Sequence, residues 1–110
     1  MLRKLKLKHG YHDALVQSVQ FQEDDDVLIA VDLCGCCNPT PGGHATLTFC
    51  GVRNFDQVHL ALEAARQENQ GKGYIDEIVN IFRDDQTRGY LVVFTTAGDL
   101  TFDAKGVVES

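Results

Sequence analysis

The chain has 110 residues, 44% of them apolar and 24% charged, with a formal net charge of −6. This length suits one hydrophobic core, so we expect a single domain over residues 1–110. An acidic chain argues against general affinity for phosphate backbones, and no apolar run approaches the roughly 18 residues of a membrane span. We therefore expect neither nucleic acid nor a membrane as partner.

The first predicted element lies in residues 2–9, LRKLKLKH, where basic residues alternate with Leu5 and Leu7. A period of two is typical of a strand with one wet face. Lysines on such a strand discourage it from pairing with another sheet edge, so this segment is expected to be a solvated edge strand.

The N-terminus does not resemble a secretory signal, because lysines interrupt its leucines and no small-residue cleavage site follows. We therefore expect a cytoplasmic protein. In that compartment the four cysteines are expected to stay reduced, so a disulfide framework is a poor explanation for them.

Three further strands are predicted before residue 53. Residues 14–21 and 27–33 both alternate apolar with other side chains, and the acidic residues 23–26 between them suit a hairpin turn. The same period of two returns in residues 45–52, ATLTFCGV.

The periodicity then changes to that of a helix, at about residues 54–70. Apolar residues recur at helical spacing from Phe55 to Ala65, Asn54 can cap the start, and Gly71 lies just past the end. This segment is predicted to be the one amphipathic helix of the chain.

The last predicted elements form an antiparallel meander of residues 74–82, 90–96 and 100–104, joined by short turns. Apolar residues on both faces of the first of these strands indicate a central position in the sheet. The predicted fold class is α+β: a bent antiparallel sheet or open barrel of about six to seven strands, with the helix packed on it.

Residues 34–44, CGCCNPTPGGH, connect two predicted strands, and we call them the cysteine loop. Zinc could be held there by Cys34, Cys36, Cys37 and His44, although a closed zinc site usually draws its ligands as two separated pairs. The alternatives are a reactive thiol and a plain hairpin connection whose thiols are incidental. The Pro and Gly content favours the plain connection.

The second candidate group is the pair His12 and Asp13, just before the first hairpin. An Asp in that position can accept backbone N–H bonds, and a His can donate to it or to a neighbouring carbonyl. A structural role is favoured over catalysis, because the sequence supplies no nucleophile or metal partner beside the pair. Proximity of the cysteine loop to the segment HGYHD, residues 9–13, would favour the chemical alternatives, and separation would nearly remove them.

Residues 12–53 carry a further pattern: the His-Asp pair leading into HDALVQSVQF, the strand VLIAVDL, and ATLTFCGV with Phe49, Gly51 and Val52. This pattern resembles small bacterial β-rich proteins of unknown function, some of them grouped with polymorphic-toxin immunity proteins. The resemblance implies a compact β-rich domain that binds another protein.

The sequence therefore predicts a non-enzymatic, cytoplasmic bacterial domain that binds another protein, in an immunity-type role or by self-association. Its net charge of −6 fits a basic target as well as ordinary solubility. The alternative prediction is a metal-handling protein that binds zinc or a similar ion through the cysteine loop.

Overall fold

The protein is described by a computed structural model that covers residues 2–35, 38 and 43–110. Within these residues, eight mostly antiparallel strands form one open sheet and one helix packs on it, so the predicted α+β class with a bent sheet is confirmed. The strands are β1 (Leu2–Lys4), β2 (Ala14–Phe21), β3 (Val27–Asp32), β4 (His44–Cys50), β5 (Asp76–Asp84), β6 (Gly89–Phe94), β7 (Asp99–Phe102) and β8 (Gly106–Glu109); the helix is α1 (Phe55–Glu68).

The strands follow the order β7-β6-β5-β2-β3-β4-β8, and β1 adds to β5 beside β2. β5 is thus central, as its two apolar faces predicted. One of its edges pairs with β6, and the other is shared by β2 and β1. This shared edge creates the candidate site described below.

The sheet bends so far that distant strands meet across the core. The ring of Phe49 on β4 stacks on Phe102 of β7 with centroids 4.3 Å apart, and it meets Tyr90 of β6 at 5.8 Å. Phe49 and Phe102 are both fully buried. Burial of side chains this large contributes about 1.5–3 kcal/mol each, so the bend is stabilised mainly by apolar packing.

The helix covers the concave core with Val58, Leu62 and Ala65, which are its buried residues. The prediction that Asn54 caps the helix by its side chain is wrong, since no such bond forms. Asn54 instead donates its amide to Thr101 O (2.7 Å) and accepts the Asp103 N–H (3.0 Å). The Asn54 side chain therefore connects the start of the helix to the backbone of Thr101 in β7 and of Asp103 just after it.

In the hairpin of β3 and β4, Ala45 pairs with Val31, and the pairing ends at Asp32 and His44. The strand β8 was not predicted at all. It pairs with β4, where Gly106 faces Cys50, at the end of β4 remote from the cysteine loop.

Candidate functional site

The candidate site lies where one edge of β5 changes partners. β2 pairs with residues 76–78 of β5 and β1 with residues 82–84. Between these strands residues 5–13 leave the sheet, and we call them the arch. Its two ends are fixed by backbone bonds, from Leu5 N to Ile81 O (3.0 Å) and from Asp13 N to Ile78 O (2.9 Å).

A groove of about 570 Å³ lies between the arch and β5, and we call it the basic groove. Three lysines and two histidines line it, with no aspartate or glutamate among the lining residues. This concentration of positive charge contrasts with the net charge of −6 on the whole chain. The lining residues are Lys4, Leu5, Lys6, Leu7, Lys8, His9, Gly10, Tyr11, His12, Asn80 and Ile81.

The backbone of β5 inside the groove is already hydrogen-bonded. Val79 O accepts a bond from His12 Nδ1 (2.9 Å), and the Ile81 N–H donates to Asn80 Oδ1 (2.9 Å). Backbone groups held in this way offer little to an added strand. A ligand in the groove would therefore be recognised by side chains.

The Glu109 carboxylate holds the middle of the arch. It accepts the N–H groups of Lys8 (2.6 Å) and His9 (3.1 Å) and the hydroxyl of Tyr11 (2.8 Å). Burial raises the pKa of Glu109, but the bonds from Lys8, Tyr11 and His9 outweigh burial, and the net pKa is lowered. The carboxylate thus stays charged and fixes residues 8–11.

The cysteine loop reaches the same part of the arch through Asn38. Its amide nitrogen donates to Gly10 O and to Cys34 O, both at 2.9 Å, while its Oδ1 accepts the Gly10 N–H at 3.0 Å. The loop and the HGYHD segment therefore converge, which sequence alone could not show.

The predicted pair His12 and Asp13 lies at the far end of the arch, with both side chains exposed. His12 Nε2 lies 3.4 Å from Asp13 Oδ2, and its Nδ1 bonds Val79 O. His12 Nδ1 thus lies at hydrogen-bond distance from a carbonyl oxygen, which it can contact as a donor when Nδ1 carries the proton. Asp13 itself has a left-handed backbone, with φ of 63°, at the bend into β2.

Glu77 on β5 adds a second carboxyl group beside Asp13. Burial raises the pKa of Glu77, and so do its hydrogen bond to Asp13 and the negative charges of Asp13 and Asp76, while His12 acts in the opposite direction. The far end of the arch therefore holds carboxyl groups close to one another.

The predicted zinc ligands are only partly within the described residues. Cys36 and Cys37 lie outside them. Cys34 is disulfide-bonded, so the expectation that all four cysteines are reduced is wrong for this one, whereas Cys50 is a free cysteine. Within residues 2–35, 38 and 43–110, no group of three or more His, Cys, Asp or Glu side chains is placed to hold a metal ion.

His44 lies at the base of the cysteine loop and is paired with Asp32. Its Nδ1 is 2.5 Å from Asp32 Oδ1, and the other oxygen of Asp32 accepts a bond from Gln17 Nε2 at 2.9 Å. The histidine ring is thus oriented by a carboxylate that is itself held in place.

Sequence reasoning missed Glu109 and Asn38, which organise the site. Glu109 lies 98 positions from Tyr11 along the chain, and Asn38 lies 28 from Gly10. Neither has a local pattern that could have indicated its partner. The alternating lysines were visible in the sequence, but their groove is made by a pairing between β1 and β5.

No family model, curated protein or solved structure matches this chain. Across the part of the chain that the structure describes, we find no helix with the length and apolar character needed to cross a membrane.

Proposed function

We propose that this chain is a cytoplasmic binding protein that engages another protein through the basic groove and carries out no catalysis. The observation that carries the proposal is the concentration of three lysines and two histidines in one groove of an acidic chain. Charge of one sign gathered in a concave surface attracts an oppositely charged partner and orients it.

The hydrogen bonds around the groove favour binding over chemistry. Burial and the bond to Glu109 raise the pKa of Tyr11, so its phenol keeps its proton near neutral pH. A ring nitrogen of His12 is engaged with Val79 O. General acid–base catalysis needs groups that exchange protons with a substrate, and these two are held in structural bonds.

The resemblance of residues 12–53 to immunity-type proteins supports a protein as the partner. A second copy of this chain is the other partner of suitable chemistry, because the exposed turn of residues 23–25 is acidic. Light scattering distinguishes the two, since self-association raises the mass of the purified chain alone.

The proposal is tested by photo-crosslinking from inside and outside the groove. A benzophenone side chain at position 6, which lines the groove, should form an adduct with one discrete protein in a lysate of the source cells. The same side chain at the exposed position 72 is the control and should not form that adduct. Identical adducts at both positions, or none at position 6, would contradict the proposal.

A second candidate function, zinc binding at the cysteine loop, is favoured by one contact. His44 faces Asp32 through Nδ1, and a carboxylate in that position often orients a histidine whose Nε2 binds zinc. Because zinc binds thiolates, Cys34 would first have to be released from its disulfide.

Elemental analysis of untagged protein purified under reducing conditions tests this second candidate. We expect stoichiometric zinc that is lost in Cys36→Ser and His44→Gln and retained in Cys50→Ser, since Cys50 lies at the remote end of β4. Substoichiometric zinc, unchanged by Cys36→Ser, would rule it out.

A further inference from the structure

The lysines of the basic groove repeat at every second residue. Lys4, Lys6 and Lys8 are exposed, whereas Leu5 and Leu7 between them are half-buried and pack on the core. Alternate residues of a fully extended chain lie about 7 Å apart, so the backbone positions of the three lysines are separated by at most about 13 Å, and the bend at residue 8 shortens this distance. One carboxylate or phosphate group is too small to meet all of them.

An extended polypeptide places alternate side chains on one side at this same spacing. We infer that the groove binds an extended acidic segment of the partner protein, in which a carboxylate occurs at every second residue. This inference rests on the proposed function and adds the chemistry of the partner. Opposite charges paired side by side along neighbouring extended chains are mutually stabilising.

The acidic groups nearest the groove leave its lysine half electropositive. Glu109 keeps its negative charge beside Lys8 and His9, where three uncharged donors of the arch occupy its oxygens. Asp13 and Glu77 lie at the other end, beside His12. The attraction for an acidic segment is therefore strongest at Lys4 and Lys6 and weakens towards Lys8 and His12.

The same residues argue against single-stranded nucleic acid, which also repeats a negative charge. Proteins that bind such strands stack bases on accessible aromatic rings. Apart from the histidines, Tyr11 is the aromatic residue among the groove lining, and it is only 5% exposed. A groove whose lining has lysines but no accessible Phe, Tyr or Trp ring suits carboxylates better than bases.

The probes are synthetic peptides titrated into ¹⁵N-labelled full-length protein. One peptide alternates glutamate and serine, and its isomer has all glutamates in one block, so both carry the same charge. We expect the alternating peptide to shift amide signals of residues 4–12 and 80–81 and to bind about threefold more tightly than the block isomer. High salt should weaken this binding.

Two double variants locate the binding. Lys6→Gln with Lys8→Gln should weaken the alternating peptide roughly three- to tenfold, because two exposed ion pairs are lost. Lys72→Gln with Lys105→Gln removes the same charge from exposed positions outside the groove and should leave binding unchanged. Equal urea midpoints would show that both variants remain folded.

Equal binding of both peptides, or equal shifts with inorganic phosphate, would overturn the inference, because spacing would then play no part. Tighter binding of oligothymidylate would also overturn it and assign the groove to nucleic acid. A protein crosslinked at position 6, with no peptide binding, would leave the proposed function standing and refute the acidic segment. Peptide binding without a crosslinked partner would support recognition of an acidic segment and contradict the proposed function.

Discussion

The middle of the arch and its far end at Asp13 hold their carboxyl groups in opposite ways. At residues 8–11 the Glu109 carboxylate accepts three hydrogen bonds, and its net pKa is lowered. At residues 12–13 the Glu77 carboxyl lies beside Asp13 and Asp76, and its pKa is raised by burial and by those neighbours. The charged form of Glu109 stabilises the middle of the arch, whereas the charged form of Glu77 destabilises its far end.

The middle of the arch is therefore held by a charged carboxylate, whereas the charge beside its far end depends on whether Glu77 is protonated. Residues 8–11 contact β8 through Glu109 and the cysteine loop through Asn38. Residues 12–13 contact mainly β5, where protonation of Glu77 changes the local charge. The following substitutions test each part.

The largest effect is expected from Glu109→Gln. The carboxylate of Glu109 accepts bonds from Lys8 N–H, His9 N–H and Tyr11 OH. An amide has only one acceptor oxygen, so at least one of these bonds is lost and the amide NH₂ group faces another donor. We expect the free energy of unfolding to fall by about 1–3 kcal/mol at neutral pH, measured by urea denaturation. Glu68→Gln, at an exposed position on the helix, is the matched control.

The loss in Glu109→Gln should also depend on pH. Because the folded-state pKa of Glu109 is lowered, its stabilisation is present above its unfolded pKa and is lost as pH falls through the folded value. The variant and the native chain should therefore converge in stability below about pH 4. An equal difference at all pH values would contradict the charged clamp.

Asn38→Ala should have the next largest effect. It removes the bonds that join the arch at Gly10 to the cysteine loop at Cys34. We expect a loss of about 1–2 kcal/mol and faster hydrogen exchange at the Gly10 amide. Unchanged exchange at Gly10 would show that Asn38 does not hold the arch in solution.

Tyr11→Phe removes one donor to Glu109 and keeps the buried ring. We expect a loss of about 0.5–1.5 kcal/mol, smaller than that of Glu109→Gln, because the two backbone donors remain. In a double-mutant cycle the two losses should be less than additive, since both changes remove the same bond. Full additivity would place Tyr11 and Glu109 in separate interactions.

Glu77→Gln should be the smallest effect and the one with the opposite sign. The folded-state pKa of Glu77 is raised, so its contribution is most favourable below its unfolded pKa and is lost as pH rises through the folded value. Removing the charge should stabilise the chain by about 0.5 kcal/mol at pH 7, and the gain should vanish in acid. A loss of stability at pH 7 would show that the charged form is favoured.

Local patterns were sufficient to predict most of the fold. Alternating side chains indicated β2, β3 and β4, and helical spacing indicated the segment that forms α1, Phe55–Glu68. These signals are local, because each element buries one face of its own sequence. β8 was missed because Gly106–Glu109 has only four residues and its valines are adjacent rather than alternating.

The site depends on contacts between distant residues, which no local pattern specifies. The arch is held by Glu109 and Asn38, which lie 98 and 28 positions from their partners Tyr11 and Gly10. The lysine alternation predicted an edge strand over residues 2–9, but only Leu2–Lys4 forms one, and the alternating residues 5–8 leave the sheet in the arch. It could not indicate a groove, because the opposite wall comes from Asn80 and Ile81 of β5.

The place of β1 beside β5 also sets an order of events during synthesis. Arg3 and its ion-pair partner Asp85 are 82 positions apart, so β1 cannot pair before β5 has been made, and the Glu109 clamp on residues 8–11 comes later still. Closing so long a loop is slow compared with forming the hairpins. On a ribosome the lysine-rich wall of the groove would therefore be among the last parts to reach its final position.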